Sequence, residues 1–152
     1  DGKVKEGELI VNKKIAKKTV KVFYALYQKR YRIERMRLID DYGANDEKSM
    51  AANNTSAFNY RVISGTTKLS NHSYGMAIDI NPRINPWVKG TKVSPANGKV
   101  YKQRKTSKCK GKYKRYMIHK NDTAYKIFKK YGFSWGGEWR SSKDYQHFEV
   151  NK

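Results

Sequence analysis

Two histidines and two aspartates in this chain have the residue types and spacing of a metal-binding group. The segment SNHSYGMAIDINP, residues 70–82, places His72 and Asp79 seven positions apart. A second segment, DYQH, places Asp144 three positions before His147. Catalytic zinc is usually held by three protein ligands, drawn from imidazoles and carboxylates, and keeps one position for water. His72, Asp79 and His147 would supply such a ligand set.

Metal-assisted hydrolysis also needs a proton acceptor that lies beside the metal without binding it. Asp144 is predicted to fill this role because it shares a short motif with His147. Glu138 and Glu149 are the alternatives, and Glu149 is disfavoured because on the strand face of His147 it would crowd the ion. The third histidine, His119, lies in a lysine-rich segment and is predicted to be structural.

Strand geometry limits how these side chains can meet. Residues an odd number apart on a flat strand face opposite sides of it. His72 and Asp79 can therefore converge only if the chain bends between them, and Gly75 is the predicted bend. Asp144 and His147 are also an odd number apart. If His147 sits on a closing strand, Asp144 is predicted to lie on the turn before it.

Two helices are predicted to flank these segments. Apolar side chains recur at helical spacing over about residues 12–30, and Asn12 is a plausible N-cap. A second helix is predicted to begin after Asn121 or Asp122 and to stop at Gly132. The first helix is defined by five core-facing positions: Ile15, Thr19, Val22, Phe23 and Leu26.

Short strands account for most of the remaining apolar sequence. They are predicted, in chain order, at residues 35–40, 57–63, 76–81 and 145–150. The stretch 41–56 is rich in Asn and Asp, which favours turns over regular structure. A further turn is predicted at the glycine pair 136 and 137.

Composition indicates a folded, cationic domain. The chain has 152 residues, which fits one domain, and its 34 Lys and Arg against 13 Asp and Glu give a net charge of +21. Such a surface attracts polyanions. An aromatic content of 13% excludes a disordered basic tail. Cys109 is the only cysteine, so an internal disulfide is excluded and the redox compartment cannot be read from cystine content.

Most of the charge is concentrated in one part of the chain. Residues 81–121 contain thirteen lysines and arginines and no acidic residue. We predict a single domain over 1–152 that carries a basic, loop-rich insertion at about 83–120, because this stretch lacks the apolar periodicity to fold alone. No apolar run approaches the roughly 18 residues of a membrane span. The start at Asp1 does not resemble a signal peptide, and we expect that a leader or anchor was removed.

Two long segments resemble a known enzyme family. FNYRVISGTTKLSNHSYGMAIDINPRINP, residues 58–86, and YGFSWGGEWRSSKDYQHFE, residues 131–149, are similar to zinc D-alanyl-D-alanine carboxypeptidases and related peptidoglycan endopeptidases. This group includes the vancomycin-resistance carboxypeptidases and several phage endolysins. Its signature SxHxxGxAxD, followed by DxxH or ExxH, appears here at Ser70, His72, Gly75, Ala77 and Asp79, then at Asp144 and His147. The resemblance extends from about Glu8 to Glu149.

The resemblance implies a fold and a metal site. The fold would be α+β, of the hedgehog and D,D-peptidase type, with a small antiparallel sheet that carries the metal ligands and is flanked by helices. His72, Asp79 and His147 would bind one zinc ion, and Asp144 would be the general base. Many members carry Glu at the position of Asp144, so its shorter side chain must lie closer to the reacting water.

The resemblance also implies residues that contact the substrate. Arg61, which precedes the metal motif, would stabilise the oxyanion or the substrate carboxylate, a task suited to its fork of donors. Ser70 would hydrogen-bond the substrate backbone. Tryptophans such as Trp87, Trp135 and Trp139 are more often packing residues than substrate platforms, and of the three only Trp139 is predicted to lie near the cleft.

The function predicted from these observations is zinc-dependent hydrolysis of peptidoglycan stem peptides, with D-alanyl-D-alanine carboxypeptidase activity as the first choice. A peptidoglycan endopeptidase and an inactive cationic wall-binding relative are the alternatives. The lysine-rich stretch 100–120 would suit anionic wall polymers or nucleic acid. Sequence-specific nucleic-acid binding is disfavoured because no recognition helix, zinc finger or RNA-binding signature is present. The expected location is extracytoplasmic, secreted or in a bacterial cell wall.

Overall fold

A helix forms near the start of the chain, where helical periodicity predicted one. The structure, a computed structural model, describes residues 2–151. Helix α1 spans Lys13–Gln28, and the side chain of Asn12 accepts a hydrogen bond from the backbone N–H of Lys14 at 3.0 Å. The side chains of Ile15, Val22 and Leu26 are buried on one stripe, while Lys17 and Lys21 between them are exposed. The predicted helix and its cap are therefore confirmed.

The second predicted helix is also present. Helix α3 spans Thr123–Lys130, and Asp122, not Asn121, is its N-cap, accepting a hydrogen bond from the backbone N–H of Tyr125 at 2.8 Å. The chain leaves the helix through Gly132, which has a φ of 81°. This left-handed conformation is the one that glycine adopts readily at a helix end.

A short helix occupies the stretch that we predicted to lack regular structure. Helix α2 spans Asp46–Ala51, so the prediction of turns over residues 41–56 is wrong at this point. The side chain of Asn45 accepts a hydrogen bond from the backbone N–H of Lys48, and two acidic residues follow the cap. Acidic residues in a first helical turn stabilise the helix dipole. The same Asn and Asp residues that suggested turns therefore begin a helix.

Among residues 2–151, eight short strands form three small sheets. The strands are β1 Arg35–Met36, β2 Asn54–Thr55, β3 Ala77–Asp79, β4 Trp87–Lys89, β5 Lys92–Ser94, β6 Ser134–Trp135, β7 Lys143–Asp144 and β8 His147–Glu149. Strands β3, β8 and β6 form an antiparallel sheet, β5, β4 and β7 form a second antiparallel sheet, and β1 pairs with β2 in parallel.

Two of the four predicted strands are confirmed, in shortened form, and two need correction. Strands β3 and β8 lie inside the predicted ranges 76–81 and 145–150. Within the predicted strand 35–40 only β1 is extended in a sheet, and a 3₁₀ helix follows at Ile39–Tyr42. The range 57–63 forms no strand, and only an isolated bridge joins Val62 to Leu69. Its apolar side chains are largely exposed, so strand propensity there is not supported by packing.

The main core lies between the sheet β3-β8-β6 and the helices α1 and α3. The ring of Phe128 on α3 stacks on Phe148 of β8, with ring centroids 3.9 Å apart. Ile78 of β3 is paired with Phe148 in the strand register, and both are fully buried. Side chains from α1 complete the same cluster. The predicted α+β fold, with a small antiparallel sheet flanked by helices, is confirmed.

The basic segment 83–120 carries more structure than a loop. It contains β4, β5 and two 3₁₀ helices, Ala96–Lys102 and Lys114–Tyr116. A second, small cluster of buried side chains lies inside it: Ile84, Tyr101, Cys109 and Met117. The guanidinium of Arg104 donates to the carbonyls of Ile84 and Ile118 at 2.9 Å, which ties the two ends of the segment together. Among residues 2–151, no helix is long and apolar enough to cross a bilayer.

Candidate metal centre

His72 is positioned by a tight turn of 3₁₀ helix. The helix spans Asn71–Tyr74 and ends at Gly75, which has a φ of 63°. A Cβ atom at Gly75 would lie 2.7 Å from the backbone nitrogen of Asn12, and that nitrogen donates to the carbonyl of Gly75 at 2.9 Å. The predicted bend at Gly75 is therefore confirmed, although His72 lies on a 3₁₀ helix and not on a strand-like segment. The N-cap of α1 holds this turn against the body of the protein.

Asp79 and His147 are neighbours across two paired strands. Asp79 of β3 lies directly opposite His147 of β8 in the antiparallel register. Directly opposed residues place their side chains on the same face of a sheet. The alternate residues Ile78 and Phe148 point to the other face, into the core. The pairing that builds the core thus places a carboxylate and an imidazole side by side.

The three predicted ligand side chains converge. His72 Nε2 lies 3.2 Å from Asp79 Oδ2 and 3.1 Å from His147 Nδ1, and His147 Nδ1 lies 3.2 Å from Asp79 Oδ1. All three residues are buried. Zinc bonds to nitrogen and oxygen of about 2.0–2.1 Å give a tetrahedron with edges of about 3.3 Å, close to these separations. Among the described residues, these three form the group of side chains that can hold a metal ion.

The remaining ring nitrogens have partners that orient both imidazoles. His72 Nδ1 lies 2.6 Å from the carbonyl oxygen of Ala57, and His147 Nε2 lies 3.0 Å from Glu149 Oε2. Each partner is an acceptor, so each of these nitrogens is the donor of the bond. His72 Nε2 and His147 Nδ1 face Asp79 and each other, and a metal bound between them would replace any proton that either nitrogen shares with Asp79. Such outer hydrogen bonds are typical of histidine ligands in metal sites.

The electrostatics of the group also suit a cation. Burial by itself would raise the pKa of Asp79, but the charge and hydrogen bonds of His72 and His147 hold that pKa well below its usual range. Burial would lower the pKa of His147, yet its hydrogen bonds to Asp79 and Glu149 raise that pKa above the ordinary value. The pocket therefore holds a carboxylate and attracts positive charge, and two imidazoles with one carboxylate match the donors that zinc prefers.

Asp144 lies near this group as a half-buried residue. Its Oδ1 is inaccessible and has no hydrogen-bond partner among the described residues. Burial raises the pKa of Asp144 to about 7, and the charges of His147, Asp79, His72 and Arg61 act on it as well. An unpartnered carboxylate oxygen in such a position can accept a proton from a nearby water.

The position of Asp144 on the fold differs from our prediction. It lies on β7 and pairs with Trp87 of β4, whereas we predicted a turn before the closing strand. The basic segment supplies β4, and sequence periodicity did not reveal this pairing. A Cβ atom at Gly136 would lie 2.8 Å from Asp144 Cβ and 3.2 Å from His147 Cβ. The glycine turn therefore lets these two side chains approach each other.

Glu138 and Glu149, the two alternative candidates for the base, make hydrogen bonds to other residues. Glu138 accepts a hydrogen bond from the hydroxyl of Tyr125 at 2.8 Å, and this bond lowers its pKa. Glu149 accepts hydrogen bonds at one oxygen from His147 Nε2 and from the side-chain amide of Asn71. Glu149 shares the sheet face of His147, as strand parity requires, but it contacts the far side of the ring and does not crowd the ligand atoms.

Arg61 is held near the site by an acidic residue at the start of α2. Its Nε lies 3.1 Å from Asp46 Oδ2, and the other oxygen of Asp46 accepts a hydrogen bond from Asn59. The backbone carbonyl of Arg61 accepts hydrogen bonds from Ser70 N and Ser73 Oγ, which fixes it to the turn that carries His72. The positive charge of Arg61 partly opposes the rise that burial causes in the pKa of Asp144.

Ser70 and Trp139 also lie close to the candidate ligands. The hydroxyl of Ser70 is buried and accepts a hydrogen bond from the backbone N–H of His72, so in this structure it caps the 3₁₀ helix. The ring of Trp139 lies 5.2 Å from that of His147, measured between centroids. Their predicted contacts with substrate stay predictions. His119 lies outside the site, where its Nε2 contacts the carbonyl of Arg104 at 2.8 Å.

Two supporting residues escaped the sequence-based prediction. Asp46 falls in the stretch predicted to be turns, and its link to Arg61 joins segments fifteen residues apart. Glu149 was considered only as a rival base, although its position two residues after His147 places both side chains on one strand face. Strand parity could have identified Glu149 as a partner of His147. The sequence contains no comparable signal for Asp46.

Comparison with protein families agrees with this geometry. A family model described as D-alanyl-D-alanine carboxypeptidase, within the M15 peptidases, matches residues 64–150, more than half of the chain. The matched range includes all three candidate ligands and Asp144 but begins after Arg61, so it is shorter than the resemblance read from the sequence. Searches of curated proteins and of solved structures found no match. The chain belongs to the D-alanyl-D-alanine carboxypeptidase family of M15 peptidases.

Proposed function

We propose that this protein is a zinc-dependent peptidase that hydrolyses peptidoglycan stem peptides, with removal of a terminal D-alanine as its first activity. The observation that carries the proposal is the convergence of His72, Asp79 and His147 around one point, with the unpartnered carboxylate oxygen of Asp144 nearby. Family membership supports a peptidase of this class. The choice of D-alanyl-D-alanine peptides follows the description of the family.

The metal would be held by His72 Nε2, His147 Nδ1 and the carboxylate of Asp79. When bound, zinc supplies Lewis acidity to a water molecule and to the scissile carbonyl. The protein prepares this site in advance, because Ala57 and Glu149 hold the two imidazoles in the tautomers that ligation requires.

The residues around the site would transfer the proton, stabilise the negative charge and position the substrate. Asp144 accepts a proton from the attacking water as the carbon–oxygen bond forms, and it returns that proton to the leaving amine as the carbon–nitrogen bond breaks. Arg61, aligned by Asp46, places a guanidinium where the carbonyl oxygen gains negative charge or where a substrate carboxylate binds. Trp139 would form one wall for the substrate, and Ser70 would offer its hydroxyl to the peptide backbone.

Location and surface partners belong to the same proposal. A peptidase of this class would meet its substrate outside the cytoplasm, in or at a bacterial cell wall. The net charge of +21 supports attraction to anionic wall polymers and to the carboxylates of peptidoglycan. This attraction depends on exposed charges, so it should weaken as salt is raised.

Hydrolysis of defined peptides tests the proposal. The purified chain, supplied with zinc, is incubated with a peptide that ends in D-Ala-D-Ala and with cross-linked stem peptides, and products are identified by mass. Release of free D-alanine, strongly slowed in Asp144→Asn, is the expected result. Cleavage only within the stem peptide would identify an endopeptidase. If neither substrate is cleaved although zinc is bound, the chain is an inactive relative and the proposed activity is wrong.

A further inference from the structure

A cationic cleft lies between the end of α1 and the end of the basic segment. It has a volume of about 220 Å³ and is lined by Lys29, Arg30, Arg32 and Arg115, with Tyr31 and Asp122 between them. None of these residues belongs to the candidate metal centre. The volume is below the roughly 300–1,000 Å³ of sites for drug-sized molecules, which favours one small anionic group.

The four cations of the cleft are not neutralised within the structure. Among the described residues, no carboxylate oxygen lies within ion-pair distance of Lys29, Arg30, Arg32 or Arg115. Asp122 is the one acidic residue in the lining. Both of its oxygens already accept backbone hydrogen bonds, from Tyr125 N at 2.8 Å and from His119 N at 2.7 Å. The cleft therefore retains a net positive charge.

Tyr31 adds a neutral side chain to the lining of the cleft. Its hydroxyl is inaccessible and makes no hydrogen bond of good geometry, although the side-chain amide of Asn81 lies close enough to act on it. Burial, together with the charge of Asp122, raises the pKa of this phenol, so it stays protonated and adds no negative charge to the cleft. The arginine side chains are the donors for an oxyanion, because their forks match the oxygens of phosphate.

The aromatic residues of the cleft favour a polymer without bases. Nonspecific binding of single-stranded nucleic acid uses exposed aromatic faces on which bases stack. Here the ring of Tyr31 packs against the core, and the guanidinium of Arg115 lies over the ring of Tyr116 at 4.9 Å. The cleft thus offers charge and donors for a phosphate but no free stacking platform on these rings.

We propose that this cleft binds a phosphodiester group of a linear polyol-phosphate polymer, at a site separate from the peptidase centre. The basic segment, with its many exposed lysines, would extend the contact along the chain of phosphates. The cleft would hold the protein on an anionic polymer while the metal centre, which shares no residue with the cleft, stays open to peptide. This inference does not depend on the proposed catalytic activity.

Titration with poly(glycerol phosphate) tests the cleft, with binding followed by calorimetry at physiological salt. The double variant Arg30→Gln, Arg115→Gln should bind at least about tenfold more weakly than the unaltered chain. The matched control Lys17→Gln, Lys21→Gln removes the same charge from exposed positions on α1, outside the cleft and outside the basic segment, and should cost less than about threefold. Equal losses in the two double variants would overturn the proposal, because binding would then follow net charge alone.

A second variant separates binding from folding. Arg30 follows the last residues of α1 with a φ of 50°, a conformation in which glycine is favoured. Arg30→Gly should therefore raise the melting temperature by about 2–4 °C while it weakens polymer binding. A more stable variant with unchanged binding would remove Arg30 from the site and contradict the proposal.

Three further measurements test which phosphate compound binds and separate this proposal from the proposed catalytic function. A single-stranded DNA oligomer should bind more weakly than the polyol polymer, and equal or tighter cleft-dependent binding of DNA would overturn the choice of polymer. Inorganic phosphate should compete with the polymer at high concentration, and a failure to compete would count against a phosphate site. The Arg30, Arg115 double variant should hydrolyse soluble peptide at the same rate as the unaltered chain.

Discussion

The carboxylate of Glu149 lies 3.0 Å from Nε2 of His147, while Asp79 lies 3.2 Å from Nδ1 of the same ring. One imidazole is thus held between two acidic residues, and only the Nδ1 side faces the candidate metal position. The arrangement follows from strand geometry, because Glu149 is two residues after His147 and Asp79 is opposite it on β3. Glu149 acts on the metal through the histidine and is a positioning residue.

Removal of the Glu149 charge should weaken metal binding without removing the ligands. Glu149→Gln keeps the size of the side chain but presents a poorer acceptor to His147 Nε2, and we expect metal affinity to fall about 10–100-fold. Competition with a zinc chelator measures this change. Glu138→Gln is the matched control, because Glu138 bonds to Tyr125 and not to a ligand. If both variants bind zinc equally well, Glu149 has no orienting role.

Substitution of a ligand and of the base should have different consequences. His72→Ala removes one of three protein ligands, so zinc content and activity should be lost together. Asp144→Asn leaves the ligand set intact and should retain zinc, but turnover should fall by about 10²–10⁴-fold, the usual contribution of a general base. Elemental analysis and kcat for the two proteins check the difference. Full activity in Asp144→Asn would exclude Asp144 as the base.

The ion pair between Arg61 and Asp46 should affect catalysis and leave metal binding unchanged. Arg61→Ala removes a charged donor and should lower kcat/KM by about 10²–10³-fold. Asp46→Asn only loosens the guanidinium and should have a smaller effect in the same direction. Asp41→Asn is a suitable control, since Asp41 pairs with Arg37 on the exposed surface. Equal activity of Asp46→Asn and Asp41→Asn would show that the alignment of Arg61 is unimportant.

Activity should rise with pH on the acid side. Burial raises the pKa of Asp144 to about 7 in the absence of a metal. The proton-accepting form is the ionised one, so its population grows as pH increases through that pKa. A bound cation favours the ionised form, which places the acid limb at or below pH 7. The profile of kcat/KM against pH tests this, and a rate that falls as pH rises from about 5 to 7 would contradict it.

The amino-acid sequence by itself determined the candidate ligands and the elements that carry the core. His72, Asp79, Asp144 and His147 stand out because few side chains can bind a metal or transfer a proton, and because local spacing pairs them. Helices α1 and α3 were predictable since helical periodicity and Asn or Asp caps are local signals. The bend at Gly75 followed from strand parity, which is also a local rule.

Only the tertiary structure decided how distant segments meet. The link from Asp46 to Arg61, the pairing of Asp144 with Trp87 and the cleft between α1 and the basic segment all join residues that have no regular spacing. Such contacts depend on how the helices and sheets pack, and they leave no periodic trace in the chain. The same reason explains the absent strand at 57–63, where packing did not support local propensity. Helix α2 was missed for another reason, because its Asn cap and acidic first turn are local signals that were interpreted as turns.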